Sequence, residues 1–161
     1  MSKRLQSALH LFACIMLCET VGICSALLSM PDDGSWFASL NKPSWNPPSS
    51  IFAPVWTILY ASMGISLWLV LTAVEYYNDY HRKAVALFGT QLVLNFCWSI
   101  IFFRIRSING ALVNIILLDI AVIATMVVFF KINKAATWVL VPYLLWICFA
   151  SFLNYTILML N

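Results

Sequence analysis

The stretch Ile108–Phe130 reads INGALVNIILLDIAVIATMVVFF and contains one charged side chain, Asp119. A helix needs about 20 mainly apolar residues to cross the hydrocarbon core of a bilayer. This run meets that length with almost no polar interruption. It therefore predicts a membrane-spanning helix, and it sets the pattern against which the rest of the chain is compared.

Four more runs share this character: Leu5–Leu28, Phe52–Val74, Ala84–Phe103 and Ala135–Leu160. Hydrophobic residues make up 63% of the 161-residue chain and charged residues 9%, whereas a soluble domain carries roughly 25% charged residues. Ten-residue segments of strand-like alternation, typical of membrane barrels, are absent. The sequence predicts an all-α integral membrane protein, a single domain over residues 1–161 built as a bundle of five transmembrane helices.

The loop charges predict the orientation of this bundle, because cytoplasmic loops are enriched in lysine and arginine. Six basic residues fall on the side that holds the N-terminus and three on the opposite side, namely Lys42, Arg104 and Arg106. We therefore expect a cytoplasmic N-terminus. The net charge of +3 follows from this loop bias, and we expect no nucleic-acid partner.

The one long connection, residues 29–51, is rich in proline and tryptophan. With the start of the next helix it places three tryptophans, a tyrosine and four prolines within residues 36–60. Proline fixes φ and removes a backbone donor, so this segment is expected to form a stiff, non-helical lid. Aromatic rings on a stiff lid favour a flat, apolar ligand.

Three predicted helices carry aromatic stripes at helical spacing, and two stripes include an amide. The stripes are Trp56, Tyr60 and Met63; Asn95, Trp98 and Phe102; and Tyr143, Trp146, Ala150 and Asn154. Such stripes indicate either a ligand pocket or ordinary packing, and tryptophans near helix ends, such as Trp68 and Trp138, are typical of interfacial belts.

Glu19 and Asp119 are the carboxylates at membrane depth, where ionisable groups are costly. Each indicates either a proton relay or a group bonded to Ser, Thr or Asn on a neighbouring helix. The five cysteines have no metal-ligand spacing and are interpreted as packing residues, so no metal site is predicted. His10 and His81 are expected at the membrane interface, His81 within the charged second loop.

A series of motifs follows the chain from the lid through helices two to five. They are Trp36-Phe37, Leu40 to Pro48, Pro54-Val55-Trp56, Leu59-Tyr60, Met63-Gly64, Gln91-Leu92, Asn95, Trp98, Phe102-Phe103, Ala111 to Val113, Val141 to Leu144, Trp146, Phe149-Ala150 and Leu153 to Tyr155. In this order the motifs resemble the translocator protein family, whose bacterial members are the tryptophan-rich sensory proteins. The first helix has no distinctive match.

The resemblance implies a five-helix bundle, often a homodimer in contact with membrane lipids, whose first loop covers a pocket for porphyrins such as protoporphyrin IX or haem. No cofactor is required, because the porphyrin is the ligand. The residues implied to bind it are Trp36, Phe37, Pro47, Phe52, Trp56, Tyr60, Asn95, Trp98, Trp146 and Ala150. Trp56 and Trp146 correspond to the tryptophans associated with light-dependent porphyrin breakdown.

Three departures from the family pattern narrow this expectation. Phe37 replaces a tyrosine, so the phenolic hydroxyl that could bond to a polar ligand is lost. Asn114 stands where an aspartate is common. The basic residue of the animal family's proposed cholesterol motif does not follow Tyr155. Steroid transport is therefore not expected, and a bacterial-type protein of the cell membrane is favoured.

The sequence therefore predicts a membrane receptor or sensor for porphyrins, acting in tetrapyrrole homeostasis and in responses to light or oxidative stress. One alternative is an enzyme that degrades protoporphyrin IX in light, with Trp56 and Trp146 as the catalytic residues. Another is a small transporter of porphyrins or other amphipaths, coupled to protons through Glu19 and Asp119.

Overall fold

The computed structural model describes residues 2–29, 35–73 and 79–161. The helices are α1 (Lys3–Ser29), α2 (Ser35–Ser39), α3 (Ser49–Thr72), α4 (Asp79–Ser99), α5 (Ile108–Ile132) and α6 (Lys134–Leu160), with a π-helical segment, Ile100–Arg104, continuing α4. Five helices, α4 counted with that segment, are long and apolar enough to cross a membrane. The predicted five-helix membrane bundle is confirmed. Residues 30–34 of the predicted lid and Val74 lie outside the described residues.

Four helices begin earlier than the apolar pattern predicted: α1 and α6 by one or two residues, and α3 and α4 by three or more. α3 begins at Ser49 rather than Phe52, and α4 begins at Asp79 rather than Ala84. The prediction for α4 followed hydropathy alone, but Asp79 in a first helical turn is favoured by the helix dipole. The prediction that His81 lies in a loop was wrong, since it is buried within the start of α4.

The prediction that the whole lid is non-helical was wrong, because part of it is helical. Residues 35–39 form the short helix α2, whereas residues 40–48 have no helix. No proline falls within α2, and the first proline after it is Pro43, so the constraint from the cluster of prolines in residues 43–54 begins only after α2 has ended. The Lys42 ammonium donates to the carbonyls of Phe37, Ala38 and Leu40, and it thereby satisfies carbonyl groups that the helix leaves unpaired at its C-terminus.

The helices pack in a ring with the order α1, α3, α6, α5, α4 and back to α1. Their outer faces carry exposed apolar side chains such as Ile58, Val93 and Leu145, as expected when lipid is the solvent. The backbones of α1 and α3 approach closely at Gly64, where an added Cβ would lie 2.5 Å from the Cα of Ile15. Small residues permit such approaches between membrane helices.

A buried chain of hydrogen bonds joins α3, α4 and α6 at the centre of the bundle. The Tyr60 hydroxyl donates to Asn95 Oδ1 at 2.6 Å, and Asn95 Nδ2 donates to the Tyr143 hydroxyl at 2.9 Å. The Tyr143 hydroxyl in turn donates to Gln91 Oε1 at 2.9 Å. Tyr143 is 0% exposed, so water and lipid headgroups cannot replace these partners.

We expect Gly64→Ala to destabilise the bundle by about 1–3 kcal/mol, because the new methyl group forces α1 and α3 apart. Thermal unfolding in detergent, followed by circular dichroism, measures the effect. Gly89→Ala is the matched control, since an added Cβ there meets nothing within 4 Å. Equal melting temperatures for the two variants would contradict the close approach at Gly64.

We expect Tyr143→Phe to destabilise the bundle more than Tyr60→Phe. The first change leaves two buried atoms, Gln91 Oε1 and Asn95 Nδ2, without their hydrogen-bond partner, at about 1–3 kcal/mol for each unsatisfied group. The second leaves only Asn95 Oδ1 without its donor. The comparison is made by unfolding in detergent, with the exposed Tyr155→Phe as control. A Tyr143→Phe variant as stable as this control would show that the hydrogen bonds contribute little.

Candidate ligand-binding site

A cavity of about 570 Å³ opens between α1, α3, α4 and α6 beneath α2. Pockets for small molecules and cofactors usually measure about 300–1,000 Å³, so this one has room for a ligand of that class. α5 contributes none of the described residues that line it. The cavity therefore lies to one side of the helix ring, away from α5.

Eight of the ten residues implied by the family resemblance line this cavity, namely Phe37, Phe52, Trp56, Tyr60, Asn95, Trp98, Trp146 and Ala150. Trp36 and Pro47 do not line it. The Trp36 ring instead packs edge-on against Phe102, with 5.6 Å between centroids. Trp36 therefore supports a ring of the cavity wall from behind.

Two aromatic walls face the cavity. On the α3–α6 side, Phe52 meets Trp146 edge-on at 6.0 Å between ring centroids, and Trp56 lies 5.6 Å from Tyr60. On the α4 side, Trp98 stacks on Phe102 at 5.1 Å with 20° between the ring planes. These spacings lie in the favourable range for aromatic pairs, so the rings hold one another in place.

The lid closes the end of the cavity nearest α2. Phe37 packs edge-on against Phe103 at 5.5 Å and lines the cavity itself. The backbone N–H of Asn41 donates to Asn161 Oδ1 at 2.9 Å, and Asn161 Nδ2 donates to the Asn41 carbonyl at 3.0 Å. These bonds fasten the lid to the C-terminal end of α6, and they join residues 120 positions apart in the chain.

The amides of the aromatic stripes hold the cavity wall together. Trp98 Nε1 donates to Asn154 Oδ1 at 3.1 Å, and Asn154 Nδ2 donates to the Ile108 carbonyl at 3.1 Å. Asn95 is likewise bonded to Tyr60 and Tyr143. The amides therefore orient the rings, and the surface they present to a ligand is mainly apolar.

The two membrane carboxylates lie in different places. Glu19 lines the cavity, whereas Asp119 is on α5, which contributes no described lining residue. The Ser151 hydroxyl donates to Asp119 Oδ2 at 2.7 Å, so the expectation of a bonded carboxylate is confirmed for Asp119. The structure does not bring Glu19 and Asp119 together in one cavity.

The contribution of α1 is what sequence reasoning missed. Its lining residues are Glu19, Gly22, Ile23, Ala26 and Ser29. They recur at intervals of three and four residues, which is one face of a helix, and three of them are small. This stripe was visible in the sequence, but it carries no aromatic residue and no family motif.

Comparison with known proteins agrees with this architecture. The model of the TspO/MBR family matches residues 14–160. The tryptophan-rich protein TspO of Chlorobaculum tepidum is 46% identical over 154 residues, which is 95% of this chain and 96% of the relative. The human translocator protein is 38% identical over 122 residues, covering 76% and 72% of the two chains. The tryptophan-rich sensory protein of Cereibacter sphaeroides is 34% identical over 144 residues, covering 89% and 86%.

The family match spans the lid and the five long helices except for the start of α1. The residues outside it are 1–13 and the last residue, Asn161. The chain belongs to the TspO/MBR family of membrane proteins.

Proposed function

We propose that this protein is a membrane receptor or sensor that binds porphyrins, such as protoporphyrin IX or haem, in the cavity beneath the lid. Its role would lie in tetrapyrrole homeostasis and in the response to light or oxidative stress. The observation that carries this proposal is the shape and lining of the cavity. It measures about 570 Å³, and its facing walls are built from tryptophan, tyrosine and phenylalanine rings.

A planar macrocycle suits such a cavity for two physical reasons. Burial of apolar surface contributes roughly 25 cal/mol for each Å² removed from water. Offset or edge-on contacts with rings such as Trp56, Trp98 and Trp146 add about 0.5–1.5 kcal/mol for each pair. A flat ligand with both faces apolar gains from both walls at once.

The donor set of the cavity fits a metal-free porphyrin at least as well as haem. Histidine, cysteine and methionine are common axial ligands of haem iron, and none of them is among the described lining residues. Tyr60 is the one lining phenol, and its hydroxyl already donates to Asn95. We therefore propose recognition through the faces and edges of the macrocycle.

Titration of the purified protein with protoporphyrin IX in the dark should quench tryptophan fluorescence saturably. We expect Trp56→Phe and Trp146→Phe to weaken binding about three- to tenfold, because each loses ring area against the macrocycle. Trp138→Phe is the matched control, because Trp138 is 69% exposed and does not line the cavity. An absence of saturable quenching would overturn the proposal.

Light-driven breakdown of protoporphyrin IX is the second candidate function. Trp56 and Trp146 both line the cavity, where an excited porphyrin would lie beside two oxidisable indoles. Illumination of the same titration samples tests this candidate. Loss of porphyrin that requires Trp56 or Trp146, and not Trp138, would support enzymatic photochemistry. Equal loss of porphyrin in every variant would rule out this second candidate function.

Proton-coupled transport, the third candidate, has less structural support. A relay through Glu19 and Asp119 needs the two carboxylates to share a path. Asp119 instead lies on α5, which contributes nothing to the described lining, and it accepts a hydrogen bond from Ser151 of α6. Binding without transport is the simpler proposal.

We also propose that the protein is a homodimer in the bacterial cell membrane, with a cytoplasmic N-terminus. Cross-linking in native membranes is expected to give a species of twice the monomer mass. An N-terminal tag should resist protease added to intact spheroplasts, because the positive-inside bias places Lys3 and Arg4 in the cytoplasm. Cleavage of the tag would show that the N-terminus lies outside the cytoplasm and would contradict the proposed orientation.

A further inference from the structure

A cation, Arg104, lies beside the lid end of the cavity, here called its mouth, and has no part in the function proposed above. Arg104 is the last residue of the π-helical segment, and its Nη1 donates to the Leu28 carbonyl at 3.2 Å. Arg104 and Leu28 are not themselves lining residues, but their neighbours in the chain, Phe103 and Ser29, both line the cavity. The guanidinium therefore crosses the seam between the π-helical segment and the C-terminal end of α1, at the lid end of the cavity.

The other described cations at this end are less well placed to meet a ligand. The Lys42 ammonium donates to three carbonyls of the lid, those of Phe37, Ala38 and Leu40. Arg106 has a left-handed backbone, with φ of 60°, and neither of its neighbours in the chain lines the cavity. The bond from Arg104 to Leu28 engages one of the five N–H donors of a guanidinium.

The deep end of the cavity has the opposite character. Glu19 is the one ionisable acid or base among the described lining residues, if tyrosine is set aside. Ten residues separate it from Ser29 along α1, which is about 15 Å at the rise of an α-helix. The cavity is thus polarised along α1, with a carboxyl group deep in the membrane and a guanidinium at its mouth. Asp32 and Asp33 lie outside the described residues.

We propose that Arg104 and Glu19 determine the specificity of this cavity and the orientation of its ligand. This inference rests on the porphyrin-binding function proposed above. Arg104 binds the carboxylates of the ligand at the mouth, and Glu19 keeps carboxylates away from the deep end. The ligand class is a flat macrocycle with its acidic side chains on one edge, which enters with its apolar edge towards Glu19.

The chemistry of the two side chains supports these roles. A guanidinium presents paired N–H donors that match a carboxylate in a bidentate arrangement. A ligand carboxylate beside Glu19 would have to give up its hydration without a cationic partner, which is strongly unfavourable at membrane depth. A macrocycle with carboxylates around its whole rim cannot avoid that encounter in any orientation.

The test compares three probes in the dark by tryptophan-fluorescence quenching: protoporphyrin IX, its uncharged dimethyl ester, and uroporphyrin, which carries carboxylates around its rim. We expect Arg104→Gln to weaken binding of protoporphyrin IX about fivefold and to leave binding of the ester unchanged. The ester also reports whether the variant cavity is intact. Arg82→Gln is the matched control, because Arg82 is exposed at the opposite end of α4, near Asp79.

We expect Glu19→Gln to bind protoporphyrin IX at least as tightly as the unmodified protein and to admit uroporphyrin, which the unmodified protein should reject. If Arg104→Gln affects the acid and the ester equally, or affects neither, the role of Arg104 is overturned. If Glu19→Gln still rejects uroporphyrin, the role of Glu19 is overturned. An unmodified protein that binds the ester more tightly than the acid refutes this inference alone, whereas one that binds neither refutes the proposed function as well.

Discussion

The hydroxyl group of Tyr143 is the point on which the centre of the bundle depends. It accepts a hydrogen bond from Asn95 and donates one to Gln91, and Asn95 also accepts from Tyr60. Lipid tails offer no competing hydrogen-bond partner, so buried polar groups must find one another inside the protein. This requirement holds α3, α4 and α6 in one relative position, and it fixes the back of the cavity with them.

The cavity follows from this arrangement together with the close approach of α1 to α3 at Gly64. α1 lies close against α3, α4 is held by its amides to α3 and α6, and the space left between these four helices becomes the site. The lid covers that space because Asn41 is bonded to Asn161 at the end of α6. The aromatic rings thus form the surface of the cavity, and hydrogen bonds between polar groups hold in place the helices and the lid that carry those rings.

The separation of charge along the cavity, with Glu19 at one end and Arg104 beside the other, distinguishes between possible orientations of a bound ligand. Apolar walls alone would accept a flat ligand in several orientations, because burial of apolar surface is non-directional. A carboxyl group at depth and a guanidinium at the mouth favour a single orientation for a ligand with acidic groups on one edge. Shape would then select the class of ligand, and charge would select among members of that class.

The sequence by itself determined the membrane class, the five spans and most of the aromatic lining, because these depend on local hydropathy and on residue spacing along single helices. It also led to the family through the lid motif. It misjudged what depends on local competition at helix ends: α2 forms within the lid ahead of Pro43, and α4 extends back to Asp79, burying His81.

Only the tertiary structure decided which residues share a cavity. It excluded Trp36 and Pro47 from the lining, added a face of α1 that no motif marked, and placed Asp119 apart from Glu19. It also set Arg104 beside Leu28, a residue 76 positions away in the chain. Hydropathy and periodicity describe one helix at a time, whereas these relations arise from how helices distant in the chain pack against one another.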